Sequence, residues 1–244
     1  MTTRMFGEPI RRREDPRLVS GDGRYLDDLG RDALAVAFVR SPYAHASIVD
    51  IDVSGALEVD GLVAVYTFED LTGRLAQPLP VLIPHPALHA PRTAYPLAKD
   101  VVRHVGEAVA MVVATDRYLA EDACARIQVS YASRPAVVGI EAARGAAHLV
   151  HEDVPDNVAA HLVQEVGDAP AAIGAAPHRL SLNLHIERSA SMPMEGKGVY
   201  ARWDAADRSL RVYSSTQTST SLRFALAAKL DLPVDRVEVV TPDV

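Results

Sequence analysis

Residues 107–131 read EAVAMVVATDRYLAEDACARIQVSY, and this stretch decides the fold class. The apolar run from Glu107 to Ala114 predicts a buried strand. Thr115 is a plausible N-cap for a helix over Asp116 to Arg126, in which Leu119 and Ala123 stand at i, i+4 spacing. A further strand follows, with alternating apolar side chains at Ile127, Val129 and Tyr131. This β–α–β order predicts mixed sheet plus helix in the first structural unit.

Three more strands are predicted before this stretch. They cover Ala33 to Arg40, Ser47 to Val53 and Leu62 to Thr67. The second alternates strictly, so Val49, Ile51 and Val53 are expected to face the core together. Residues 72–98 contain six prolines and therefore predict a long surface loop.

After a predicted domain boundary near 135–150, the pattern changes. His178 to Glu187 alternates most clearly of all, with four apolar side chains on one face: Leu180, Leu182, Leu184 and Ile186. The rest predicts a hairpin, a helix and a last strand, over Gly198–Trp203, Leu210–Ser215, Ser219–Leu230 and Arg236–Thr241.

Composition excludes several classes of function. The 244 residues carry a net charge of −7, and the one dense basic run, Arg11 to Arg13, is followed at once by Glu14 and Asp15, so we expect no nucleic-acid binding. No run approaches the ~18 apolar residues of a membrane helix, and the N-terminal residues from Met1 lack a secretory signal. We therefore expect no membrane insertion and a cytoplasmic protein. A single cysteine, Cys124, excludes an intramolecular disulfide or a cysteine-ligated cluster within one chain.

Two histidine pairs, at positions 85 and 89 and at 148 and 151, have spacings that metal ligands use. Both lie in predicted loops, so we expect no metal site. Cys124 stands among alanines and is expected to be a small buried residue and not a nucleophile.

The junction Ser214 to Ser219 is more informative, because a strand ends and a helix starts there. A helix N-terminus exposes N–H groups that favour an anion or an oxo group, and Gln217 adds a donor and an acceptor. The alternative is an ordinary helix cap with Gln217 in solvent, and residue types alone favour it. Glu195 is a second candidate, with a plain glycine turn as its alternative.

Five segments resemble, in order, the molybdenum-binding large subunits of the xanthine dehydrogenase, aldehyde oxidase and carbon monoxide dehydrogenase family. They are Arg13–Asp28 (REDPRLVSGDGRYLDD), Phe38–Ala46 (FVRSPYAHA), Val102–Ala110 (VRHVGEAVA), Pro193–Gly198 (PMEGKG) and Ser215–Gln217 (STQ). Two departures are Ala108, where the family usually has proline, and Lys197, where it has arginine.

The resemblance implies an α+β protein: an N-terminal arm over 1–19, an α/β-hammerhead domain over 20–137, and the incomplete first part of a mixed α/β molybdopterin-binding domain over 138–244. Gln217 would match the glutamine that hydrogen-bonds the oxo ligand of the molybdenum centre. Glu195 gains only an architectural role. The family's glycine-rich cofactor loop and late catalytic glutamate have no counterpart here, so we expect no catalytic residue in this chain.

The expected function is the N-terminal part, a fragment or split subunit, of a molybdenum hydroxylase that oxidises a C–H or CO-type substrate with water-derived oxygen. The resemblance implies a molybdopterin cofactor of the cytosine dinucleotide type, with FAD and [2Fe-2S] on partner subunits. The isolated chain is expected to hold none of these and to be inactive alone. The alternative is a non-catalytic hammerhead scaffold or interaction module.

Overall fold

The computed structural model describes residues 6–30, 32–81, 83–187, 189–190, 192–193 and 195–243. Met1 to Met5, on which the expectation of no secretory signal partly rests, and Met194 of the PMEGKG segment lie outside these residues. The helices are α1 Asp15–Val19, α2 Arg117–Arg126, α3 Ile140–Gly145, α4 Ala169–Ala175 and α5 Ser219–Leu230. The strands are β1 Ala35–Arg40, β2 Ala46–Asp52, β3 Leu62–Tyr66, β4 Val101–Val102, β5 Ala108–Ala114, β6 Gln128–Ser133, β7 Val199–Asp204, β8 Ser209–Ser214 and β9 Val237–Val240.

The chain divides into two compact units, one of residues 34–191 and one of residues 1–33 with 192–244. Each unit is a set of residues that contact one another and is not the same thing as a domain of the predicted family. The domain bounds at 19/20 and 137/138 therefore stay a prediction. Throughout the described residues, no helix combines the length and apolar content that a membrane span requires.

Unit 34–191 contains two three-stranded antiparallel sheets, in the orders β1-β5-β3 and β4-β2-β6. The strands on either side of α2 therefore lie in different sheets, and the mixed sheet predicted from their order is wrong. Strand β5 is buried as predicted, and α2 packs on its sheet through alanines that allow close approach: Ala110, Val112 and Ala114 meet Ala120 and Ala123. Asp116, and not Thr115, caps α2, because its carboxylate accepts the Leu119 N–H at 3.0 Å.

A glycine fixes the entry to β3. Gly61 has φ +85°, and a Cβ there would lie 2.6 Å from the Thr115 hydroxyl oxygen. The backbone N–H of Thr115 donates to the Gly61 carbonyl at 2.9 Å. The close approach of these two chain segments therefore requires glycine.

Strand β2 forms as predicted, with Ile51 and Val53 packed inward, but the inward orientation predicted for Val49 is wrong, and so is the strand predicted over residues 178–187. In β2 a register shift between Ile48 and Asp50 places one extra residue in the strand, so Ile48 and Ile51 pack inward while Val49 is exposed. Residues 178–187 form no strand, and their apolar side chains are exposed. Within the described part of the chain no strand pairs with this segment. A strand without a neighbour has no partners for its backbone N–H and C=O groups, so it does not form. The predicted loop over 72–98 contains no helix or strand at its described positions.

The other unit contains the sheet β7-β8-β9. Strands β7 and β8 form the predicted hairpin, whose turn is fixed because the Asp204 carboxylate accepts the N–H groups of Ala206 and Asp207. Helix α5 occupies the predicted range, and its C-cap residue Asp231 adopts the left-handed conformation two residues before Pro233. Strand β9 then returns parallel to β8, in the register Leu210↔Val237 to Tyr213↔Val240.

Candidate functional site

The parallel strands β8 and β9 end side by side, and α5 connects them. Ligands of α/β units gather at the carboxyl ends of such strands, where connecting turns and helix N-termini meet. Two turns lie at this edge, Ser215–Gln217 after β8 and Thr241–Asp243 after β9. The Thr241 hydroxyl donates to the Thr216 carbonyl at 3.1 Å and joins them. This edge is the candidate functional site.

Gln217 lies where the sequence predicts it, at the turn before α5. The backbone on either side is fixed by the Thr216 hydroxyl, which accepts the Thr218 N–H at 3.2 Å, and by the Thr216 N–H, which donates to the Ser214 carbonyl at 2.9 Å. The Gln217 side chain is exposed and makes no hydrogen bond to any residue that the structure describes. A hydrogen-bonded turn therefore presents an amide with a free donor and a free acceptor among the described residues.

The start of α5 adds a partial positive charge to this edge. Thr218 is the N-cap residue, yet no side chain caps the helix. The first-turn N–H groups of a helix have no intrahelical acceptor, and together with the helix dipole they favour an electron-rich oxygen nearby. The turn and the helix start are thus suited to an anionic or oxo ligand.

Glu195, the second predicted candidate, is a structural link within this unit. Its Oε1 accepts the backbone N–H of Leu26 at 2.7 Å, at the start of a short 3-10 helix over Leu26–Asp28. Its Oε2 is shielded from solvent and has no hydrogen-bond partner at the positions described. The next residues reach the Gln217 turn, because the Gly198 N–H donates to the Ser215 hydroxyl at 3.1 Å.

Asp243 is a site residue that sequence reasoning missed. Its carboxylate accepts two hydrogen bonds from the Arg17 guanidinium and a third from the Arg24 N–H at 2.7 Å. The hydrogen bonds from Arg17, followed by the one from Arg24, lower the pKa of Asp243 to about 2. Arg17 belongs to the REDPRLVSGDGRY segment, but the two residues are 226 positions apart and no local pattern pairs them.

The remaining candidates, the two histidine pairs and Cys124, lie in unit 34–191. His85 accepts the Ala87 N–H at 3.0 Å within its loop, and burial, followed by the charge of Arg103, lowers the pKa of His151. Burial raises the pKa of the Cys124 thiol, which disfavours the thiolate needed for nucleophilic attack. Within the described ranges, no three His, Cys, Asp or Glu side chains are arranged to hold a metal ion.

A cavity of about 500 Å³ in the same unit is lined in part by the VRHVGEAVA segment. The buried Glu107 carboxylate accepts the Arg103 N–H at 2.6 Å, and the Arg103 guanidinium donates to the Val150 and Val101 carbonyls. The charged groups of this segment are therefore engaged in holding the backbone.

Two family models match the chain. The aldehyde oxidase and xanthine dehydrogenase a/b hammerhead domain matches residues 20–135, and the molybdopterin cofactor-binding domain matches residues 150–244. The second match includes the Ser215–Gln217 and Thr241–Asp243 turns, so the candidate site lies within it.

Similar proteins cover the whole chain. The nicotine 6-hydroxylase large subunit of Paenarthrobacter nicotinovorans is 35% identical over 100% of this chain and 30% of its own. The carbon monoxide dehydrogenase large chain of Hydrogenophaga pseudoflava is 30% identical over 95% of this chain and 30% of its own. The crystal structure of quinoline 2-oxidoreductase from Pseudomonas putida 86 superimposes with a TM-score of 0.85 and 32% identity, over 96% of this chain and 30% of that one. The chain thus spans about 30% of the length of these relatives, and the likeness confirms the predicted α+β hammerhead fold.

Proposed function

Because the chain belongs to the xanthine dehydrogenase and aldehyde oxidase family of molybdenum-dependent oxidoreductases, we propose that it forms the N-terminal part of a molybdenum hydroxylase large subunit. Residues 20–137 are its hammerhead domain and residues 138–244 begin its molybdopterin-binding domain. A further segment or a second chain supplies the rest of the molybdenum site. The substrate is oxidised at a C–H carbon, or is carbon monoxide, as the names of the relatives suggest.

One observation carries this proposal: the exposed Gln217 amide at the carboxyl edge of β8 and β9, inside the region that matches the cofactor-binding domain. The residues present fit one side of an oxygen-rich cofactor, because Gln217 can donate to an oxygen and the start of α5 favours negative charge. The molybdenum cofactor, when bound, supplies the redox centre for substrate oxidation.

The chain's own residues have a defined task in this scheme. Gln217 would hold an oxygen of the cofactor through its Nε2–H, and the Thr216 and Thr241 hydroxyls fix the turn that carries Gln217. Glu195 shapes the neighbouring loop. The general base of the reaction is provided from outside this chain, as are the FAD and [2Fe-2S] centres on partner subunits and most contacts to a cytosine dinucleotide form of the cofactor. The assembly is cytoplasmic.

The test compares the chain alone with the assembly purified through an N-terminal tag in the native host. Molybdenum is measured by mass spectrometry of the metal, and CMP released by acid hydrolysis reports the cytosine dinucleotide. Reduction of a dye reports the oxidation of a substrate panel of nicotine, quinoline and carbon monoxide. We expect about one molybdenum per tagged chain in the assembly and none in the isolated chain. An assembly without molybdenum would instead indicate the scaffold function, and stoichiometric molybdenum in the isolated chain would contradict the need for a second segment.

A further inference from the structure

The segment of residues 15–28, which overlaps the end of the predicted N-terminal arm and is named the arm from this point on, contacts one turn of the candidate site directly and the other through one loop. At one end, Arg17 donates two hydrogen bonds to the Asp243 carboxylate. The backbones of Arg24 and Asp243 also pair, since the Asp243 N–H donates to the Arg24 carbonyl at 3.1 Å. The Thr241–Asp243 turn therefore has its side chain and its backbone held by the arm.

At its other end the arm reaches the Gln217 turn through one intermediate loop. Leu26 is buried, and its N–H donates to Glu195 at 2.7 Å. A Cβ on Gly198 would lie 2.9 Å from the Leu26 side chain, so the loop after Glu195 is packed tightly against the arm. The same loop holds Ser215, whose hydroxyl accepts the Gly198 N–H.

These contacts form a closed circuit of the arm, Asp243, Thr241, Thr216, Ser215, Gly198 and Glu195. Its members are joined mainly by polar contacts. A charge-assisted, two-pronged arginine contact restricts orientation more strongly than a single hydrogen bond. The circuit therefore fixes geometry at the carboxyl edge of β8 and β9 beyond what the sheet itself provides.

We propose that the arm is a positioning element for the cofactor site, in which Arg17 through Asp243, and Glu195 through Leu26, hold the turn that presents Gln217. This role of the arm rests on the proposed function, in which the orientation of Gln217 matters because its amide binds the cofactor. Arg17 and Glu195 act through Asp243 and Leu26, so they are positioning residues.

The test uses Arg17→Gln in the full chain, with Arg12→Gln as the matched control. Arg12 lies in the same region, and its contacts with the described residues are exposed ion pairs, with Glu14 at 3.8 Å and Asp15 at 3.6 Å. Hydrogen exchange is measured for residues 213–219 and 239–243, with helix α2 as the internal reference. The side-chain amide resonance of Gln217, identified by its loss in Gln217→Ala, reports the orientation of that group.

In Arg17→Gln we expect exchange in both turns to accelerate by at least about threefold and the Gln217 amide resonance to shift, while α2 and the Arg12→Gln protein stay unchanged. Arg17→Lys keeps the charge but loses the paired geometry, so it should fall between wild type and Arg17→Gln. Unchanged exchange in both turns would overturn the proposal.

Fast exchange in α2 as well would show that Arg17→Gln unfolds the chain. In that case hydrogen exchange in the two turns is compared between Arg17→Lys and Arg12→Lys, and that comparison tests the proposal. Exchange in the isolated chain reports the arm independently of catalysis. A failure of the positioning role is therefore distinguishable from a failure of the proposed function, which turnover of the native assembly reports.

Discussion

Gln217 presents an exposed amide on a turn that the Thr216 and Thr241 hydroxyls hold in place. Its place between a strand and a helix could be predicted, because both elements have clear periodicity. The pairing of Arg17 with Asp243, which belongs to the circuit that holds the Gln217 turn, could not be predicted, because it depends on a contact across 226 positions. Such pairs are set by tertiary structure and leave no local pattern in composition or spacing.

At the scale of one residue, we predict that Gln217→Ala lowers turnover in the native assembly without unfolding the chain. The side chain is exposed and unpartnered at the described positions, so its loss leaves no cavity. Removing one hydrogen bond to the cofactor should reduce turnover per molybdenum by about tenfold. Dye reduction with the substrate panel measures this.

Gln164→Ala, in an exposed stretch without helix or strand, is the matched control and should leave turnover per molybdenum unchanged. Turnover of the Gln217→Ala assembly equal to that of the control would remove Gln217 from the site.

At the scale of the element, the bounds of a helix or strand could be predicted where its own residues determine them. Helix α5 begins and ends where its leucine spacing and Pro233 indicate. Strand β2 is the contrasting case. A prediction from alternation assumes that every second residue of a strand faces the core. The register shift between Ile48 and Asp50 inserts one extra residue, so that Ile48 faces the core in place of Val49. A bulge is determined by the neighbouring strand and not by the residues of β2 alone.

The start of α2 gives the prediction for this scale. The Asp116 carboxylate accepts the Leu119 N–H and fills the role expected of Thr115. Asp116→Ala should therefore destabilise the chain by about 1 kcal/mol, the usual effect of losing an N-cap. Asp122→Ala, an exposed position within the same helix, should change stability by less than about 0.5 kcal/mol. Urea unfolding followed by circular dichroism compares the two. Equal effects would show that the cap hydrogen bond does not stabilise α2.

At the scale of the whole molecule, the wrong predictions have a common cause in long-range pairing. The β–α–β order around α2 is correct, yet its two strands join different sheets, because β1 and β3 pair with β5 while β2 pairs with β6. Residues 178–187 show the same dependence. Their alternation fits burial of one face against a sheet, and no described strand of this chain provides that sheet. The chain spans about 30% of its relatives, so the proposed additional segment has ample length to supply the missing partner.

We therefore predict that residues 178–187 become a strand in the native assembly. Leu180, Leu182, Leu184 and Ile186 are 68–88% exposed in the chain alone, and burying four such side chains would contribute several kcal/mol, at about 1.5–3 kcal/mol each. Amide exchange in 179–187 should slow by at least about a hundredfold on assembly, while the exposed turn 204–208 stays fast. Leu182→Asp should prevent recovery of the partner segment, whereas Asn183→Asp, on the opposite face of the alternation, should not. Equal exchange rates in the isolated chain and in the assembly would show that this segment is not where the additional segment pairs.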